Sequence, residues 1–76
     1  MKEILVNIIE TISDGNKVEN YDMDLFTANI LDSFGIAQLI SEIEDNFGID
    51  VDPEDIIPEN FDTINHIADL LKKYGD

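Results

Sequence analysis

The chain has 76 residues, with 18 Asp or Glu against four Lys or Arg and a formal net charge of −14 at pH 7. Such a charge repels nucleic-acid phosphates and anionic lipid surfaces, so neither is an expected partner. Cysteine is absent, which excludes disulfides and thiolate zinc sites. No signal-peptide pattern is present, and the apolar runs are shorter than the roughly 20 residues of a membrane span. We therefore expect a single cytoplasmic domain over residues 1–76, folded around a thin core.

The first predicted element is an amphipathic helix over residues 2–13. Its apolar side chains recur every three or four residues, which places them on one face. The sequence Asp14-Gly15-Asn16 then favours a turn, because Gly and Asn tolerate left-handed backbone angles. The predicted core stripe of this helix consists of Ile4, Leu5, Ile8, Ile9 and Ile12.

A long connection follows and continues to Leu31. It is too rich in Asn and Asp for a helix prediction, yet it carries many apolar side chains. An unpinned loop of this length is unusual in a compact domain, so we expect it to be pinned across the core. The side chains expected to pin it are Val18, Tyr21, Met23, Leu25, Phe26 and Ile30.

The second long helix is predicted over Ser33–Phe47, with Gly48 as its stop. The serine at its start could cap the helix, act as a nucleophile, or carry an attached group. A capping hydroxyl stabilises a helix by about 1 kcal/mol, but Asp32 is also placed to cap. Free amides and the helix dipole favour a phosphate at this position, so Ser33 suits a phosphodiester. The predicted inner face consists of Ile36, Leu39, Ile40, Ile43 and Phe47.

Two further helices are predicted in the last third of the chain. A short one covers Glu54–Ile57, with Pro53 in its first turn and Pro58 ending it. The last begins near Asp62 or Thr63, either of which can cap, and runs through residue 74. Three long helices, one short helix and no strand pattern predict an all-α four-helix bundle.

No catalytic or metal site is predicted. His66 is the single histidine, is expected on an exposed flank of the last helix, and has no serine beside it in sequence. Asp50, Asp52 and Glu54 alternate as in a calcium loop, but Asp55 stands where that loop requires glycine. The pattern therefore excludes an EF-hand and leaves weak divalent binding to the acidic face open.

The segment from Glu42 to Asp62 carries nine acidic side chains and no Lys or Arg. It is either a solvated face or a docking surface for basic partners. Docking through it would be fast, weak and salt-sensitive, because charges act over a Debye length of about 8 Å at physiological salt.

The stretch Leu31-Asp32-Ser33-Phe34, with Leu39, Ile43 and Gly48 after it, resembles the attachment motif and second helix of the acyl carrier protein family. The resemblance covers residues 3–73. In that family, a phosphopantetheinyl transferase uses coenzyme A to attach phosphopantetheine to the serine, and the arm's thiol holds an acyl or aminoacyl group as a thioester. The resemblance implies that Ser33 is the attachment residue of a non-catalytic carrier.

The resemblance also implies partner enzymes with basic docking patches. The expected partners are the phosphopantetheinyl transferase, a ligase or transferase that loads the acyl or aminoacyl group, and downstream synthase enzymes. The carrier itself is expected to be a monomer. Phe34 is expected either to contact the partner enzymes or to pack against the long connection. The residues expected to bind partners are Asp32, Phe34, Gln38, Glu44 and Asp45.

The cargo is less closely indicated by the resemblance. Gly35 and Gln38 stand where fatty-acid carriers usually have acids, and residues 30–35 are similar to the L-L-D-S-F-G of D-alanyl carrier proteins. Residues 57–63 look more like discrete carriers of fatty-acid, polyketide or amino-acid-loading pathways. We predict an acyl carrier for fatty-acid, polyketide or related biosynthesis. The alternatives are a D-alanyl or aminoacyl carrier for teichoic-acid modification or amino-acid loading, and an unmodified acidic adaptor.

Overall fold

The structure is a computed structural model that describes residues 1–74. Within these residues every regular element is a helix or a 3₁₀ turn and none is a strand, which confirms the predicted all-α, four-helix fold. The elements are α1 (Lys2–Ile12), α2 (Ser33–Phe47), a 3₁₀ turn (Pro53–Asp55), α3 (Pro58–Phe61) and α4 (Ile64–Lys72). None of the helices in this part of the chain is long and apolar enough to cross a bilayer.

Helix α1 places its apolar stripe against the rest of the bundle. Leu5 and Ile9 are fully buried, as the periodicity predicts. The prediction for Ile4 is wrong, since that side chain is 44% exposed. It lies at the edge of the stripe, over a shallow groove beside Glu42 of α2, where this thin bundle has no further layer to cover it. The turn after α1 is as expected, with Gly15 at a φ of +92°.

The long connection is pinned across the core, as predicted. Leu25 is fully buried, and its N–H donates to the carbonyl of Asp62 at 2.7 Å. The carbonyl of Leu25 in turn accepts from Ile30 N–H at 2.9 Å. Tyr21 departs from the prediction: its side chain is exposed, and its carbonyl accepts from Asn65 N–H at 3.1 Å. The connection is therefore held by backbone hydrogen bonds as well as by apolar contact.

Helix α2 has the predicted bounds and ends at Gly48, whose left-handed backbone (φ 67°, ψ 38°) closes the helix. Leu39 and Ile43 are fully buried at its centre. Towards its start, Ile36 is only half-buried. Ile40 and Phe47 are also half-buried, so the inner face of α2 is fully buried only at Leu39 and Ile43.

The segment after α2 differs from the prediction. The short helix expected over Glu54–Ile57 is a 3₁₀ turn at Pro53–Asp55, and Pro58 begins α3 rather than ending a helix. Proline can do either, because its fixed φ and missing N–H suit the first helical position as well as a stop. Thr63 caps α4, which ends at Lys72, two residues earlier than predicted.

Candidate functional site

Asp32 is the cap of α2. Its backbone is extended, and its Oδ1 accepts a hydrogen bond from Gly35 N–H at 2.7 Å. Its carbonyl also accepts from Ile36 N–H at 2.8 Å. The capping role that Ser33 could have had is therefore filled by its neighbour.

Ser33 is the first residue of α2, and its side chain is exposed. Within residues 1–74 its hydroxyl makes no hydrogen bond, and the backbone N–H groups of Ser33 and Phe34 have no acceptor. Unpaired amides at a helix start, together with the helix dipole, favour negative charge there. The site thus combines an accessible hydroxyl with a local environment suited to a phosphate.

An apolar groove of about 580 Å³ runs beside Ser33. One wall comes from α2 and the long connection, and the other from the segment between the 3₁₀ turn and α3. Its isoleucines at positions 56 and 57 are 38% and 43% exposed. The lining residues are Phe26, Asp32, Ser33, Ile36, Ile56, Ile57 and Pro58.

Phe34 is 72% exposed, more than any other large apolar side chain that the structure describes. The alternative that it packs against the long connection is therefore wrong. Together with Gln38 it borders a second groove, on the side of α2 that faces the turn after α1. The predicted attachment residue Ser33 and the predicted partner-binding residues Asp32, Phe34 and Gln38 all lie at the cap of α2 or in its first two turns.

The two acids predicted further along α2 differ from each other. Asp45 is exposed, as a docking residue would be. Glu44 is half-buried, and its Oε2 accepts a hydrogen bond from Val51 N–H at 3.0 Å. Glu44 thus fixes the loop after α2, a role that the sequence analysis missed.

Gly35 lies tight against its surroundings. A Cβ at this position would be 3.2 Å from the Leu31 side chain and 3.4 Å from Asp32 Oδ1. The contact with Leu31 would be closer than nine in ten real Cβ contacts, so that side chain would have to move slightly. A glycine here therefore leaves the cap of α2 undisturbed.

His66 has no place in either groove. Its side chain is 54% exposed, and its Nδ1 donates to Asp62 Oδ1. This hydrogen bond, and then the charge of Asp62, raise the pKa of His66. Among residues 1–74, no group of three or more His, Asp or Glu side chains is arranged to hold a metal ion.

The sequence analysis also missed a hydrogen-bonded cluster of Asp55, Lys73 and Tyr74, which lies next to the groove wall formed by Ile56 and Ile57. Lys73 Nζ lies 3.0 Å from both carboxylate oxygens of Asp55. The Tyr74 hydroxyl donates to Asp55 Oδ2 and accepts from Asp52 N–H at 2.9 Å. The hydrogen bond from Tyr74, and then that from Lys73, hold the pKa of Asp55 below its ordinary value. No local sequence signal could reveal the cluster, because Lys73 and Tyr74 come 18 and 19 residues after Asp55.

Comparison with known proteins places the chain in a family. Residues 3–71 match the family whose description is phosphopantetheine attachment site. This chain belongs to the phosphopantetheine-binding carrier protein family. The family's cofactor is a covalently attached phosphopantetheine. The residues at the start of α2 fit such a group, since the hydroxyl is exposed and two free amides lie beside it.

Several curated relatives share one name. The chain is 42% identical to the D-alanyl carrier protein of Lactococcus lactis subsp. cremoris, over all of this chain and 98% of that protein. It is 40% identical to the D-alanyl carrier protein of Streptococcus suis, over 88% of this chain and 85% of the relative. The D-alanyl carrier protein of Bacillus velezensis is 33% identical over 92% of this chain and 90% of its own length. These names favour the D-alanyl alternative over the predicted fatty-acid or polyketide role.

Proposed function

We propose that this chain is a D-alanyl carrier protein, modified with phosphopantetheine on Ser33 and loaded with D-alanine for teichoic-acid modification. The names of its relatives support the cargo. The main support for Ser33 as the attachment residue is that its hydroxyl is exposed and is not used to cap α2. Asp32 caps the helix instead. On this proposal the chain is a substrate of other enzymes and performs no catalysis itself.

The residues around Ser33 have separate tasks in this function. When attached, phosphopantetheine supplies a terminal thiol on a flexible arm, which is where the cargo is held. The Ser33 oxygen provides the point of attachment, and the free amides of Ser33 and Phe34 would favour the negative charge of a phosphate attached there. Asp32 keeps the first turn of α2 closed, so that the serine stays on a rigid support.

The surface around the serine suits partners that are both basic and apolar. Phe34 and Ile57 offer exposed apolar area on either side of Ser33. Asp32 and Asp45 are exposed acids on the same helix, and their charge speeds association with basic surfaces. We propose that the phosphopantetheinyl transferase and the D-alanine-loading ligase dock here, with Gln38 at the edge of the contact.

The attachment residue is tested by intact mass. The apo chain is incubated with coenzyme A and a broad-specificity phosphopantetheinyl transferase, and wild type is expected to gain the mass of one phosphopantetheine. Ser33→Ala should gain nothing. Ser41→Ala is the matched control, because Ser41 is an exposed serine on the same helix, and it should be modified like wild type. An unchanged wild-type mass would favour the unmodified adaptor instead.

The cargo needs a second experiment. The modified chain is offered D-alanine, L-alanine or a fatty acid, each with a ligase that activates it, and its intact mass is measured before and after thioester cleavage by hydroxylamine. On the chain purified from its host we expect a labile adduct with the mass of one alanyl group, whose D configuration is established by chiral chromatography of the released alanine derivative. We also expect efficient loading by a D-alanine ligase. A fatty-acyl adduct on the host-purified chain would restore the fatty-acid role.

A further inference from the structure

The outer wall of the groove beside Ser33 is tied to the end of α4 through one carboxylate. We call Asp55, Lys73 and Tyr74 the Asp55 brace. The Asp55 side chain is only 19% exposed, and both of its oxygens lie 3.0 Å from Lys73 Nζ. Tyr74 donates to the same carboxylate and accepts from the N–H of Asp52, so it holds both sides of the 3₁₀ turn.

The backbone of Asp55 links the brace to the groove. Its carbonyl accepts from Ile57 N–H at 2.9 Å and from the Asn60 side-chain amide at 2.8 Å. Ile56 and Ile57 follow directly and line the groove with Ser33. Any movement of Asp55 is therefore passed to both isoleucines.

Core packing holds the isoleucine side chains only in part. Ile56 and Ile57 are 38% and 43% exposed, so core packing fixes only part of each side chain. Hydrogen bonds from the turn and the brace must supply the rest of the restraint. Helix α4, in contrast, is anchored by fully buried Ile64 and Ile67 and ends at Lys72, before the two brace residues.

We propose that Lys73 and Tyr74 are positioning residues for partner recognition: acting through Asp55, they hold Ile56 and Ile57 in place beside Ser33. This inference rests on the proposed function and extends it to the end of α4. Lys73 and Tyr74 then affect the binding of partners at Ser33 without contacting those partners.

The first test is the kinetics of modification. Tyr74→Phe removes one hydroxyl and keeps the ring, and Lys73→Gln removes the charge. In each variant we expect the KM of the phosphopantetheinyl transferase for the apo chain to rise roughly threefold, with kcat little changed. This is the size of effect expected when one modest hydrogen bond that contributes to binding is lost. Tyr21→Phe and Lys72→Gln are the matched controls, because neither side chain contacts Asp55, and both should match wild type.

The second test is spectroscopic and does not depend on modification. In methyl NMR spectra of the apo chain, the signals of Ile56 and Ile57 should shift in Tyr74→Phe and Lys73→Gln but not in the two controls. The methyl signals of Ile64 and Ile67, in the core, should stay in place. A double-mutant cycle of Tyr74→Phe with Ile57→Ala should show non-additive effects on KM.

The outcomes separate the two proposals. Wild type that is not modified refutes the proposed function and with it the recognition role of the brace. The methyl spectra still decide whether the brace holds Ile56 and Ile57 in place. Unshifted Ile56 and Ile57 signals overturn the brace proposal. So does a brace variant that melts at a lower temperature yet keeps the wild-type KM, because that result assigns the brace to stability alone.

Discussion

The starts of α2 and α4 are capped alike but used differently. Asp32 Oδ1 accepts from Gly35 N–H at 2.7 Å, and Thr63 Oγ1 accepts from His66 N–H at 3.0 Å. At α4 the residue after the cap is Ile64, which is fully buried. At α2 the residues after the cap are Ser33 and Phe34, and both are exposed. One helix directs its first residue into the core, and the other presents its first two residues to solvent.

The difference shows what a cap alone can indicate. A capping hydrogen bond marks where a helix begins, whether its first turn is structural or functional. The exposure of the next residues separates the two cases. An exposed Phe34 beside an unpaired hydroxyl contributes little to the core, so a role in binding is the simplest reason for its position.

The largest difference in stability is expected when one side chain in the first turn of each helix is truncated to alanine. Ile64→Ala should lower the free energy of unfolding by about 2–5 kcal/mol, because it opens a cavity in a small core. Phe34→Ala should change it by about 0.5 kcal/mol or less, since the ring is largely in solvent. Urea denaturation measures both. If Ile64→Ala does not fold, Ile64→Val should still cost about 0.5–1.5 kcal/mol. Equal losses at the two positions would contradict the comparison.

An intermediate effect is expected from the caps themselves. Asp32→Ala and Thr63→Ala should each lower the free energy of unfolding by about 1 kcal/mol, because each leaves a helix amide without its acceptor. Only the change at Asp32 should slow modification of Ser33. Asp32→Asn serves as a control that keeps a capping oxygen and removes the charge. If it restores stability but not the modification rate, the charge of Asp32 acts in docking.

The smallest effect concerns pH at the start of α4. The folded state raises the pKa of His66, chiefly through its hydrogen bond to Asp62, so it favours the protonated imidazole. The resulting stabilisation is complete below the ordinary histidine pKa of about 6.5 and is lost as pH rises through the raised value. The melting-temperature advantage of wild type over His66→Gln should therefore shrink as pH rises above neutral. The effect is small because His66 is largely solvated. A constant difference would show that the pair does not titrate.

Local patterns were enough to predict much of this molecule. The bounds of α2 follow from its apolar periodicity and from Gly48. Each cap is one of the two residues that the sequence offered, Asp32 for α2 and Thr63 for α4. The position of Ser33 at a helix start also follows from neighbouring residues alone. These features depend on contacts within a few positions, which is the range that sequence spacing reports.

The features that were missed depend on distant contacts or on ambiguous residues. Pro58 could end one helix or begin the next, and only the packing of α3 against α4 separates the two. Ile4 fits the stripe of α1, but its burial depends on whether another layer lies over it. The bonds of Glu44 to Val51 and of Asp55 to Tyr74 cross loops, where no periodicity links the partners.

The close fit at Gly35 has a consequence for exchanging this carrier between pathways. A carboxylate at position 35 would need a Cβ, and that atom would press on Leu31, a side chain that is only 4% exposed. Adding a charge at position 35, next to the serine, would therefore also change the packing of Leu31. An acid introduced at position 35 to retarget the protein would require the Leu31 side chain to yield by a few tenths of an ångström, so the added charge would act on the packing as well as on the surface.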